Sequence, residues 1–125
     1  MSEQSGRVVS IVDDDPSLRR SLGNLLMSAG LRVETFESAE HFLESDAAES
    51  TGCIVLDVRM PGMGGLGLVR HLAASGSRIP VIVLTAHGDE DTRQRLLQAG
   101  AVAFLRKPVQ ADILVDAVRG ALGER

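Results

Sequence analysis

The chain has no tryptophan, no tyrosine and a single cysteine. One cysteine closes no internal disulfide, and the paired cysteine spacings of zinc sites are missing. Cys53 sits inside an apolar run and reads as a buried thiol in a reducing compartment, so a cytoplasmic location is expected. No stretch approaches the ~18–20 consecutive apolar residues of a membrane span, and no charged-then-apolar signal segment opens the chain. No membrane attachment is therefore expected. Lys/Arg-rich runs are also lacking, and the formal net charge is -4, which argues against nucleic-acid binding by this chain itself. What the chain has instead is a clustering of acids. Its 125 residues suit one domain with a single good core.

Residues 1–6 are polar and are expected to fray. Val8 to Val12 then reads as a buried strand that runs into three acids, Asp13, Asp14 and Asp15. Pro16 follows, and its fixed φ suits the first turn of a helix capped by Asp15. Leu18, Leu22, Leu25, Leu26 and Ala29 recur at helical spacing, and Gly30 is the expected stop. Residues 31–36 alternate as a second strand. Ser38 opens a second helix with Ala39, Phe42, Leu43 and Ala47 on one face. Ile54, Val55 and Leu56 form a third strand, buried on both faces, which meets one carboxylate, Asp57, before Pro61 and Gly62 stop it. The four glycines in residues 62–67 make a permissive loop. A third helix follows, with Leu68, Val69, Leu72 and Ala73 inward. Residues 80–84 form a fourth strand, and residues 89–99 a helix whose apolar face is thin: Leu96, Leu97 and Ala99. Residues 102–105 form a fifth strand. Ile113, Leu114, Ala117, Val118, Ala121 and Leu122 give the last helix the clearest amphipathic stripe.

Five short apolar strands alternating with five helical patterns predict an α/β fold, a doubly wound parallel sheet with helices on both faces. The order 2-1-3-4-5 puts the more polar second and fifth strands at the edges, in a flavodoxin-like three-layer sandwich. Ligands bind where the winding reverses, beyond the carboxyl ends of the strands. Those ends carry Asp13, Asp14 and Asp57, with Thr85 and Lys107 from the last two strands.

Converging carboxylates repel one another unless a cation sits among them. All the ligands on offer are hard oxygens, which makes Mg²⁺ the natural occupant. A carboxylate is also a nucleophile towards a phosphoryl group. Lys107 adds a point charge suited to a phosphate oxygen, and Thr85 a hydroxyl. Each residue alone has a plainer reading. Asp57 caps a turn, Asp15 caps a helix, Asp13 and Asp14 lie in a solvated loop, Thr85 bonds its own turn, and Lys107 is a surface cation. Their coincidence at the strand ends favours the functional reading.

The pieces Ile11-Val12-Asp13-Asp14, Leu56-Asp57-Val58-Arg59-Met60-Pro61-Gly62, Leu84-Thr85-Ala86 and Lys107-Pro108 come in the order and at the spacing of one known family. In these the chain resembles the response-regulator receiver domain, the CheY-like phosphoacceptor of two-component signalling, over residues 7–122, with 123–125 a tail. Thr85 to Asp89 and Gln98 to Pro108 resemble the FixJ-like branch, whose members usually carry a C-terminal helix-turn-helix DNA-binding domain. The resemblance implies roles, position by position. Asp57 is the phosphoacceptor, and Asp13 and Asp14 are the acidic pair of the Mg²⁺ site. The main-chain carbonyl of Arg59 is a further ligand. Thr85 and Lys107 are the switch hydroxyl and lysine, and Phe104 is the switch aromatic. Arg59 and His87 sit where the family tunes phosphoryl lifetime. The implied partner is a sensor histidine kinase. A phosphorylation-dependent homodimer is expected through the fourth helix, fifth strand and fifth helix, where Asp89, Glu90 and Asp91 of one copy meet Arg93 and Arg95 of the other; the plainer reading is that these charges only complement the helix dipole, acid first and basic last. The Lys107–Pro108 bond is expected to be cis, which turns Lys107 into the crevice.

Two other classes compete. An aspartyl-nucleophile phosphatase usually places a second acid two residues after the nucleophile, and Arg59 stands there instead. A flavodoxin-like cofactor binder needs a phosphate-cradling loop after the first strand, and Asp13, Asp14 and Asp15 would repel a phosphate. The receiver reading itself divides between a stand-alone phosphorelay shuttle and a regulatory domain excised from a longer protein. The end of the chain at Arg125, just past the last helix, favours the second.

Overall fold

The computed structural model describes residues 8–58, 64–85 and 90–123. In chain order the elements are β1 (Val8–Val12), α1 (Pro16–Ser28), β2 (Val33–Phe36), α2 (Ala39–Glu44), a 3-10 turn (Ala47–Glu49), β3 (Thr51–Asp57), α3 (Gly64–Ala74), β4 (Val81–Thr85), α4 (Glu90–Ala99), β5 (Ala103–Arg106) and α5 (Ala111–Ala121). The strands form one parallel sheet in the order β2-β1-β3-β4-β5, as expected from the sequence.

Successive strand residues point to opposite faces, so each central strand feeds two cores. In β3, Ile54 and Leu56 join Phe42, Leu68, Leu72 and Leu96 beneath α2, α3 and α4. Cys53 and Val55 join Leu22, Leu26, Leu114 and Val118 beneath α1 and α5. Both faces are covered, and β1, β3 and β4 are almost wholly apolar. Among the described residues no helix is long and apolar enough to cross a membrane.

Local chemistry sets the ends. Asp15 caps α1, accepting from the amides of Ser17 and Leu18, with Pro16 first in the helix. At the far end Gly30 takes φ +88, a region open chiefly to glycine. The amide of Leu31 then bonds back to Leu26, so Leu31 closes the helix and β2 begins only at Val33. The second helix is shorter than its apolar spacing predicts. Ser45 Oγ donates to the carbonyl of Phe42 and accepts from the amide of Ala47, replacing the helical pattern. Ala47 is therefore in the 3-10 turn, although it is still buried. Thr51 draws the start of β3 forward, since its hydroxyl bonds Ser10 Oγ at 2.7 Å and donates to the carbonyl of Ala47 at 2.6 Å. Gly64, Gly65 and Gly67, expected in a loop, lie inside α3. Ala73 and Ile113, expected on the inner faces, are exposed, because each lies at the margin of its helix's apolar stripe, beside buried Leu72 and Leu114. The Lys107–Pro108 bond is cis, as expected.

Candidate functional site

Strand register brings the site together. Val12 is level with Leu56, so the chains leave β1 and β3 side by side at Asp13 and Asp57. Asp57 is level with Leu84, which puts Thr85 one step beyond. Thr85 is level with Arg106, and the amide of Lys107 donates to the carbonyl of Thr85 at 2.8 Å. Four strand ends thus present Asp13, Asp57, Thr85 and Lys107 along one rim.

The carboxylates of Asp13, Asp14 and Asp57 each offer an oxygen, and these all lie within 4.8 Å of one another. Asp13 is 1% exposed, Asp57 9% and Thr85 fully buried, while Asp14 faces solvent. The Lys107 ammonium stands 3.4 Å from Asp57 Oδ1 and 3.9 Å from Asp13 Oδ2. Asp13 Oδ1 accepts from the amide of Asp15 at 2.9 Å. Its other oxygen, Oδ2, is buried with no hydrogen-bond partner, since Lys107 lies beyond hydrogen-bonding reach. Burial pushes the Asp13 carboxyl above the ordinary carboxylate range. Asp57 and Asp14 add repulsion in the same direction, while the Asp15 amide and Lys107 oppose it.

This donor set fits a hard divalent cation. Three carboxylates converge with no soft ligand among them, and one buried oxygen has no partner of its own. Asp13, Asp14 and Asp57 are the residues that would hold Mg²⁺. Arg59 and His87, to which the sequence assigned a ligand carbonyl and lifetime tuning, lie outside the described residues, as does Asp89. Phe104 is half-buried and packs against the core beneath α2, α3 and α4. The charged residues of α4 pair within their own helix, Arg93 with Glu90 at 3.2 Å and Arg95 with Asp91 at 3.1 Å.

Two residues near the site escaped the sequence reading. Gly65 packs so closely that a Cβ on it would lie 2.7 Å from Val58 Cα and 3.1 Å from the carbonyl oxygen of Asp57. Its only signal was membership of a glycine-rich stretch. Arg19 donates from Nη1 to the carbonyl of Asp13 at 2.7 Å. Nothing in the pattern separated it from Arg20 beside it.

The family model for the response regulator receiver domain matches residues 9–119. Nodulation protein W of Bradyrhizobium diazoefficiens is 46% identical over 114 residues, which are 91% of this chain and 50% of that protein. The transcriptional regulatory protein FixJ of Azorhizobium caulinodans is 44% identical over 115 residues, 92% of this chain and 54% of that protein. The chain thus spans about half the length of these relatives. It matches the crystal structure of FixJ-N along nearly its whole length, covering 100% of this chain and 98% of that one, with a TM-score of 0.86 at 35% identity.

Proposed function

The chain belongs to the response-regulator receiver family, and from that premise we propose that Asp57 is its phosphoacceptor. A carboxylate oxygen of Asp57 attacks the phosphorus of a phosphohistidine on a sensor histidine kinase. The O–P bond forms as the P–N bond breaks, and the imidazole nitrogen keeps the electron pair. Lys107 lies where the incoming phosphoryl oxygens would meet a cation, and Thr85 offers them a hydroxyl. Asp13, Asp14 and Asp57, with the Arg59 carbonyl, would hold Mg²⁺. When bound, the ion offsets the carboxylate repulsion and the charge on the phosphoryl oxygens. The chain acts as a signalling domain that assists only its own phosphorylation and hydrolysis, in the cytoplasm, with Arg59 and His87 tuning the lifetime.

The observation that carries this reading is the ammonium of Lys107 at 3.4 Å from Asp57, beside three carboxylates within 4.8 Å of one another. Treatment with acetyl phosphate and Mg²⁺ should add one phosphoryl group, ~80 Da by mass. The adduct should vanish in Asp57→Asn and without the metal. An equal adduct in Asp57→Asn would overturn the assignment.

Output follows from the same reading. Thr85 moves towards the phosphoryl group and Phe104 fills the space it leaves, which reshapes the face made by α4, β5 and α5. That face forms a weak two-fold dimer and controls transcription through a DNA-binding domain outside this chain. The dimer would exchange the α4 ion pairs from within the helix to across the axis. Exposed pairs are worth only a few tenths of a kcal/mol each, so the exchange costs little and yields little. Sedimentation of the beryllofluoride-treated protein should show the dimer, and a monomer at high concentration in both states would remove it from the reading.

A further inference from the structure

The turn between β1 and α1 carries Asp13, Asp14 and Asp15 in a row, and its backbone is held mostly by itself. The amide of Asp15 bonds Asp13 Oδ1, and the amides of Ser17 and Leu18 bond Asp15 Oδ1. The amide of Asp13 reaches the carbonyl of Phe36 at 3.1 Å. The carbonyl of Asp13 is held differently. Arg19, in the first turn of α1, reaches back six residues to donate to it from Nη1 at 2.7 Å. That length is at the short end for N–H···O bonds and typical of a charge-assisted one.

Local helix physics disfavours a cation at this position. The N-terminal end of a helix carries partial positive charge, and a cation there is opposed by about 0.3–1 kcal/mol. Arg19 nevertheless lies there, half-buried, with its rigid fork turned to the acidic turn. The carbonyl it holds belongs to the peptide leading into Asp14. The direction of that peptide sets where the Asp14 carboxylate hangs relative to Asp13 and Asp57. Asp14 is the exposed member of the trio, with the least packing of its own to fix it.

We propose that Arg19 is a positioning residue of the acidic site, pinning the Asp13–Asp14 peptide so that the carboxylates are gathered before the divalent cation arrives. This rests on the reading of Asp57, Asp13 and Asp14 as a metal-dependent phosphoacceptor site. Removing partners that orient metal ligands commonly weakens binding by ~10–100-fold.

The test is calorimetric titration of the full chain with Mg²⁺ alone, since there is no tryptophan to report binding. Arg19→Ala should weaken Mg²⁺ binding by at least ~10-fold. Arg20→Ala removes the same charge one residue away and should stay within ~2-fold of the parent chain, as expected for a screened surface charge. Acetyl phosphate labelling then supplies a split. In Arg19→Ala the Mg²⁺ concentration for half-maximal labelling should rise, while the rate at saturating Mg²⁺ stays close to that of the parent. A net-charge effect would tighten Mg²⁺ binding in both alanine variants, since each removes a cation, so tightening in Arg19→Ala or an equal change in the two variants would overturn the proposal. So would a lower maximal rate with unchanged half-saturation. If Arg19→Ala does not fold, Arg19→Met keeps the stem, lacks the donors and takes the same test. A parent chain that binds Mg²⁺ but never labels at Asp57 defeats the phosphoacceptor reading, and the calorimetric comparison still decides the role of Arg19.

Discussion

Two glycines on helices show how differently one residue type is constrained. Gly65 lies at the start of α3, where a Cβ would fall 2.7 Å from the backbone of Val58, and its amide donates to the carbonyl of Val58 at 3.3 Å. Backbone cannot step aside as a side chain can. Gly65→Ala should therefore push α3 away from the end of β3, cost on the order of 1–3 kcal/mol, and slow labelling of Asp57. Gly23, in the middle of α1, lacks that constraint. A Cβ there would make ordinary contacts, 3.8 Å to Val33 Cγ1 and 3.9 Å to Thr35 Cγ2. Gly23→Ala should raise stability by roughly 0.5–1 kcal/mol by helix propensity and lower unfolded-state entropy. Urea unfolding checks both, and a stable, fully labelled Gly65→Ala would show that the close approach is not needed. Neither outcome was legible in the sequence, since packing distance decides it.

Among the helices, α4 stands apart. Only Leu96 of its ten residues is buried, whereas α3 buries Leu68, Val69 and Leu72, and α5 buries Leu114 and Val118. Its two ion pairs are exposed, so they add little to its hold on the sheet. Few buried apolar contacts mean a low free energy of local opening. Hydrogen exchange should therefore be faster in α4 than in α1, α3 or α5, and protection of α4 equal to that of α1 would contradict this. The thin face was visible in the sequence, because helical periodicity exposes missing apolar positions directly. The alternative partners of its charges were not, since the same spacing permits pairing within a helix or between two. In α2 the sequence signal misled for a related reason. Apolar spacing continued to Ala47, but the hydroxyl of Ser45 ended the helix first.

For the molecule as a whole, stability should fall in alkali through one buried thiol. Cys53 is wholly inaccessible, and burial pushes its pKa from 9.0 up to about 12. Between those values the unfolded chain loses the thiol proton while the folded one keeps it. The folded state then binds more protons than the unfolded state, so stability declines as pH rises. It is fully retained below about 9 and drops by up to ~1.4 kcal/mol per pH unit above that. The window is otherwise sparse, for the chain has no tyrosine and Lys107 is its only lysine. Denaturant midpoints at pH 8 and 10.5 should differ in the parent chain and much less in Cys53→Ala. An identical decline in both would assign the effect elsewhere.

The sequence by itself determined the alternation of strands and helices, the few sheet orders open to them, the cap at Asp15 and the strand ends that bear Asp13, Asp57, Thr85 and Lys107. These follow from periodicity, turn residues and the few right-handed ways to wind such a chain, all of which act over short stretches. Tertiary structure alone decided how the ends meet. The pairings of Val12 with Leu56 and of Thr85 with Arg106 set the Lys107 ammonium 3.4 Å from Asp57. Burial left Asp13 Oδ2 without a partner, and the fold chose Arg19 over Arg20 to hold the acidic turn. Distances of this kind depend on register between strands far apart in the chain and on the paths of long side chains. A local pattern encodes neither.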